Sequence, residues 1–426
     1  MKKYQEMTRE ELLAEQQSLQ AEFDKIKAKG LSLDMSRGKP GTEQLELAMP
    51  MLDVVNSKTV LKSENGTDLR NYGILDGIPE AKRLIASMID VDPEMILVYG
   101  NSSLNSMYDQ VARAYYEGIC GHTPWCKLEK VKFLCPVPGY DRHFAITEHF
   151  GIEMINIDMN EDGPLMDQVE EAVKDPSVKG IWCVPKYSNP EGVVYSDETV
   201  RRFAALKPAA EDFRIFWDNA YVVHHLYEDE QAEILNIFDE AKKYGNEDMI
   251  FEFCSTSKVS FPGSGIAGVA ASKKNLEDIK SQLTYQTIGF DKINQYRHVA
   301  FFKDRAGIDA HMMKQAAIIR PKFEMLNDLL SEEIAPRGIG NWKKPLGGYF
   351  ISFEALQGCA KEIIAKCKEA GVTMTGAGSP FPYKKDPKDS VIRIAPTYPS
   401  LEELTEAAKV FVTVVRLVSC EKMLAQ

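Results

Sequence analysis

No stretch of this 426-residue chain approaches the roughly 18 consecutive apolar residues that a membrane span needs. Its first residues, MKKYQEMTREELLAEQQSLQ, carry two lysines and then turn acidic and polar. They lack the apolar core of a signal peptide. Cysteine is sparse and scattered, with eight residues at 120, 126, 135, 183, 254, 359, 367 and 420 and no Cys-x-x-Cys pair. That spacing argues against structural zinc and against a disulfide framework. Positive charge is in deficit, with 51 Lys and Arg against 63 Asp and Glu, a formal net charge of −12. A nucleic-acid surface needs a basic stripe, which this balance disfavours, while a local basic pocket for a small anion stays compatible with it. Internal repeats and low-complexity tracts are missing too. The expectation is a reduced, cytoplasmic protein that engages neither membrane nor nucleic acid and holds no metal.

What is present is an ordinary globular composition, 44% hydrophobic and 27% charged. The length suits about two to three domains. Thr8-Arg9-Glu10-Glu11 is a capping-box pattern, and Leu12, Gln16, Leu19, Phe23 and Ile26 follow at helical spacing until Gly30. The narrow apolar stripe of this helix needs a surface, on its own domain or on a partner subunit. Strand-like runs then occupy 96–99, 131–135, 152–157, 178–184, 213–217, 249–254 and 266–271, with helical stretches such as 104–116 and 197–206 between several of them. Strands separated by helices predict an α/β fold around a mostly parallel, seven-stranded sheet covered on both faces. The chain is mainly helical through 304–330. A smaller α+β unit follows, with strands at 348–353 and 391–394, a helix at 358–370 and a closing helix from 401.

Several short strings carry chemistry. Ser255-Thr256-Ser257-Lys258 follows a strand, and its hydroxyls and turn amides suit a phosphate. The lysine amine, at the lip of a buried strand, suits a Schiff base with an aldehyde. A solvated loop is the plainer reading. Asp218, in Trp217-Asp218-Asn219-Ala220-Tyr221, sits at the carboxyl end of a strand, where ligands gather in open parallel sheets. A buried carboxylate there keeps a pyridine nitrogen protonated; otherwise it simply starts a turn. Tyr221 and Asn189 offer donors to a phenolic oxygen, although Asn189-Pro190 also reads as a common turn. Gly100-Asn101-Ser102-Ser103 opens a helix and presents N–H groups to phosphate, or is a serine cap without ligand. Tyr140, in Pro138-Gly139-Tyr140, offers a face for stacking or packs in a turn. Arg393 lies inside an apolar strand pattern, where a guanidinium needs an anion. Its partner is either a substrate carboxylate, held bidentately, or a structural Asp or Glu.

In this order the strings resemble those of fold-type I pyridoxal-phosphate-dependent aminotransferases. They are most similar to the bacterial aspartate aminotransferase subgroup Ic. SRGKP, RNYG with LDGIPEA, PGYDRHFAI, GGYFISF and IRIAPTYP carry the likeness from about residue 36 to 396. The resemblance implies pyridoxal 5'-phosphate as cofactor and Lys258 as the Schiff-base lysine that shuttles the proton. It implies Asp218 on the pyridinium nitrogen, Tyr221 and Asn189 on the phenolic oxygen, and Tyr140 stacked on the ring. Ser102, Ser103, Ser255 and Ser257 would hold the phosphate. Tyr72 would reach the phosphate of the neighbouring subunit, in a homodimer with shared active sites. Arg393 would bind the substrate α-carboxylate, with Gly38 approaching by its backbone.

One departure concerns the phosphate. Many members of the family place an arginine eight residues after the lysine, where this chain has Ile266. Arg297 is the candidate replacement. A dicarboxylate substrate needs a further cation, for which Arg37 is one candidate and Arg142 and Arg297 are others; if none points into the site, a neutral amino acid is the better substrate. The implied activity is ping-pong transfer of an amino group between an L-amino acid, aspartate first, and 2-oxoglutarate. The large domain is expected over 61–324. Residues 1–60 with 325–426 would form a small domain that closes over the substrate. The same scaffold hosts other chemistry, so β-elimination or decarboxylation is the alternative, followed by a non-catalytic regulatory domain.

Overall fold

The apolar runs between residues 96 and 271 assemble into one sheet, in a computed structural model that describes residues 2–426. Its strands are β1 (Ile96–Tyr99), β2 (Lys132–Val137), β3 (Glu153–Asn160), β4 (Gly163–Pro164), β5 (Val178–Cys183), β6 (Arg214–Asp218), β7 (Ile250–Ser255) and β8 (Ala267–Ala271). The order across the sheet is β1-β8-β7-β6-β5-β2-β3-β4. The five strands from β7 to β3 run parallel. β8 lies antiparallel to both of its neighbours. Seven of these strands are the expected ones. The eighth, β4, is a two-residue hairpin return on β3 that carries no run of its own for periodicity to detect.

β5 to β8 are buried along their whole length. Such strands read as continuous apolar runs because both faces are covered. Ile215 and Trp217 enter the core on one face, and Phe216, Phe251 and Phe253 the core on the other.

A second, smaller unit is built on an antiparallel sheet of β9 (Gly340–Trp342), β10 (Ile351–Ala355) and β11 (Val391–Ile394). β10 starts later than expected. Gly347 and Gly348 pack instead against Tyr187, and Gly348 has a φ of +80° that suits glycine. The N-terminal helix α1 (Arg9–Ala28) has the expected capping box at Thr8 and Glu11. Leu12, Leu19, Phe23 and Ile26 bury against the C-terminal helix (Leu401–Leu424), so its surface comes from its own chain.

The two units share one long helix, Arg305–Glu333. Ile308 and Met312 belong to the large-sheet core, and Ile319, Phe323, Leu326 and Leu330 to the core of the smaller unit. The boundary expected at 324/325 therefore lies inside a helix, not in a linker. Among the described residues, no helix is long and apolar enough to cross a membrane.

Candidate active site

Parallel strands end together, and this brings the chemistry to one edge. Asp218 closes β6 and is 2% exposed. One carboxylate oxygen, Oδ2, lies 3.0 Å from His143 Nε2, which donates to it. The other, Oδ1, is buried without a hydrogen-bond partner. His143 stands on α2 (Asp141–His149), stacked on Trp182 at 4.4 Å between ring centroids. Trp182 donates to Thr147 Oγ1 at 2.8 Å, and Thr147 donates to the His143 carbonyl at 2.8 Å. This chain of contacts fixes the imidazole that fixes the carboxylate.

Lys258 follows β7, and its Nζ lies 4.9 Å from the centroid of the Tyr221 ring. Burial lowers its pKa, against an opposing pull from the Asp218 charge. A lowered pKa enlarges the fraction of free amine near neutrality. Tyr221 is shifted the other way, chiefly by burial and then by Tyr140 and the Asp218 charge. It keeps its proton and stays a donor. Tyr140 caps the start of α2 and meets His143 edge-on at 4.9 Å, and burial also raises its phenol.

Asn189 and Arg393 meet across the two units. Arg393 Nη1 donates to Asn189 Oδ1 at 3.3 Å and to Asp141 Oδ1 at 2.8 Å. Both partners weighed from sequence are thus relevant, because a structural aspartate already touches the guanidinium. The Arg393 Nε is buried and unpartnered. The guanidinium lies over Phe350, 5.0 Å from the ring centroid. Gly38 packs on the same ring, and a side chain at that position would run into it.

The four serines divide. Ser102 caps the helix Ser103–Tyr116, its Oγ accepting from Asn105 N, and Ser103 begins that helix. Ser255 donates to Ser257 at 3.2 Å, and Ser257 donates to the Asn101 carbonyl at 3.1 Å, which joins the two turns. Ile266 lies in the apolar core, so no charge stands at that position. Arg297 Nη2 donates to Ser264 Oγ at 2.6 Å and Asn294 Oδ1 at 2.5 Å, while its Nε is buried without a partner among the described residues. It braces the turn behind Asn101, whose amide reaches the Gly263 carbonyl at 3.3 Å. Arg37 and Arg142 are exposed. Tyr72 is 80% exposed and is not brought to the site of its own chain.

His143, Asp141, Thr256 and His298 were not singled out from sequence. Thr256 is fully buried and accepts from Ile266 N at 2.9 Å. His298 Nε2 bonds Thr256 Oγ1 at 3.0 Å and Ser260 Oγ at 2.9 Å, which clamps both sides of Lys258. Burial lowers His298 to about 4, so it is neutral at pH 7. Only His143 left a signal, lying one helical step beyond Tyr140.

These residues fit pyridoxal phosphate. A bare, buried carboxylate oxygen suits a protonated ring nitrogen. The free lysine amine suits an aldehyde, the protonated tyrosine a phenolate, and the serines at a helix start a phosphate.

Comparison with known proteins gives a consistent picture. The family model described as "Aspartate amino-transferase" matches residues 7–426. An aspartate aminotransferase of Corynebacterium glutamicum is 43% identical over 406 residues, covering 95% of this chain and 94% of that protein. The crystal structure of an aspartate transaminase from Corynebacterium glutamicum superposes with a TM-score of 0.96 at 41% identity, covering 99% of each chain.

Proposed function

The chain belongs to the aspartate aminotransferase family, and from that premise we propose that it moves the amino group of L-aspartate to 2-oxoglutarate. It is a pyridoxal-phosphate-dependent aminotransferase of fold type I. The transfer runs in two half-reactions, so donor and acceptor use the same site in turn. When bound, the cofactor supplies an aldehyde for covalent attachment and a ring that accepts an electron pair.

Asp218 would hold the ring nitrogen in its protonated form with the oxygen that His143 leaves bare. Lys258 would anchor the cofactor, and its amine, once free, would take the proton from the substrate α-carbon. Tyr221 and Asn189 would donate to the phenolic oxygen, and Tyr140 would offer its face to the ring. Ser102, Ser103, Ser255 and Ser257 hold the phosphate. Arg393 takes the substrate α-carboxylate in place of Asp141, beside the Gly38 backbone, and Arg37 takes the distal carboxylate. Residues 1–60 and 325–426 close over the bound substrate and exclude water. The eight free thiols suit a reducing cytoplasm.

The observation that carries this reading is the pair at the strand ends, a lysine held below its ordinary pKa and a buried carboxylate with one unclaimed oxygen. The test is the visible spectrum of the purified protein, with Lys258→Ala alongside. L-aspartate should bleach the yellow band, and 2-oxoglutarate should restore it. Lys258→Ala should lose at least about 10²–10⁴-fold in turnover. A band that aspartate leaves unchanged would remove aspartate as donor. A protein that takes up no pyridoxal phosphate would sink the whole reading.

A further inference from the structure

A second polar cavity, of about 310 Å³, opens on the other face of the sheet from Asp218. Glu252 stands opposite Trp217 in the β6–β7 register, on the face that carries Ile215, whereas Asp218 stands opposite Phe253. Lys186, Asn219, Glu252 and Arg305 line the cavity, with the exposed Asp90 and Glu233 also on its wall. The volume falls in the range of small-molecule sites. The reaction described above uses none of these side chains.

Three buried groups there are under-satisfied. Lys186 is 7% exposed and makes no hydrogen bond or ion pair among the described residues. Asn219 donates its amide N–H to Glu252 Oε1 at 2.9 Å, but its own Oδ1 is buried without a partner. Glu252 is 3% exposed and has no cation within salt-bridge distance among the described residues. A buried amine and a buried acid thus share one cavity without pairing to each other. Both are displaced from their ordinary values by burial, Lys186 down to about 8 and Glu252 up to about 8. Arg305 is tied to Asp309 and to the Ser87 carbonyl, so it adds positive field near Lys186 more than a free donor.

An anion alone would meet Lys186 and leave Glu252 and the Asn219 oxygen unmet. A cation alone would do the reverse. A small molecule with both charges satisfies all three, and buried polar groups favour the occupant that completes them. We propose that this cavity binds a free α-amino acid as a zwitterion, its carboxylate on Lys186 and its ammonium on Glu252 and the Asn219 oxygen. Glu252 releases its proton to solvent as the ammonium arrives. The occupant would sit one residue from Asp218 through Asn219, and three residues from Asn189 through Lys186.

The probe is 2-aminoisobutyrate, an amino acid without the α-hydrogen that transamination requires. Crystals of the cofactor-loaded protein are soaked in it, and parallel crystals in phosphate. Calorimetry on wild type, Lys186→Met and Glu252→Gln follows the same ligand. The expected result is amino-acid density bridging Lys186 and Glu252, with binding there weakened at least about tenfold in either variant. Water alone in the cavity, phosphate on Lys186 with no amino acid, or an affinity unchanged by both substitutions would overturn the proposal. If Lys186→Met fails to fold, the wild-type soak decides.

Discussion

Asp218 has two oxygens in different situations, one on His143 and one bare. The hydrogen bond stabilises the ionised carboxylate, and the bare oxygen offers that charge to whatever lies in front of it. His143→Phe separates the two contributions. The ring still packs on Trp182, so the fold should stand, but the carboxylate loses its donor. A hydrogen bond to a charged group is worth about 1.5–3 kcal/mol, which corresponds to roughly 10- to 100-fold in rate. Turnover should fall by that much while the cofactor stays bound. Steady-state kinetics with the visible spectrum will tell. Unchanged turnover would mean that the His143 contact is only packing.

β7 carries the most unusual element-level feature, an acid in the middle of a fully buried strand. Glu252 sits between Phe251 and Phe253. Burial raises its pKa from 4.5 to about 8. The folded state therefore binds the Glu252 proton more tightly than the unfolded chain. Its contribution to stability is fully present below about pH 4.5 and is lost as pH rises through about 8. Glu252→Gln keeps the acceptor for Asn219 and cannot ionise. Its melting temperature relative to wild type should therefore rise between pH 5 and pH 9, by about 2–4 °C or more. Thermal unfolding at several pH values checks this, and a constant difference across that range would refute the buried acid. The strand itself was legible from sequence despite Glu252, because one polar residue does not break an apolar run. The placement of Lys258 and Asp218 at strand ends was legible for a related reason, since turn chemistry there is local. The pairing of Asp218 with His143 was not, because 75 residues separate them and only the parallel sheet brings them together. β4 escaped because two residues have no period. The distribution of arginines escaped because direction, not sequence position, decides which anion each one meets.

The long helix Arg305–Glu333 ties the large sheet to the smaller unit, and Arg393 with Asn189 and Asp141 ties them again at the site. A single chain still leaves an apolar surface uncovered. Tyr72 is 80% exposed, Tyr285 93% and Ile288 61%. The loops that carry them are held together, since Lys292 donates to the Gly73 carbonyl at 3.0 Å and Gly289 packs on the backbone of Gly73 and Ile74. Large exposed apolar side chains gathered on neighbouring loops mark an association site. In the homodimer that the resemblance implies, this surface would be the interface, and Tyr72 of each chain would complete the phosphate site of the other. The two roles come apart in two variants. Tyr285→Glu places a charge in the patch and should give a monomer by light scattering, with weak cofactor retention and little activity. Tyr72→Phe should stay a dimer, yet bind cofactor about tenfold or more weakly through loss of one hydroxyl contact to an anion. A Tyr285→Glu monomer with full activity per chain would show that each site is complete within one chain. Tyr72 would then be ordinary surface, and the exposed patch would need another partner.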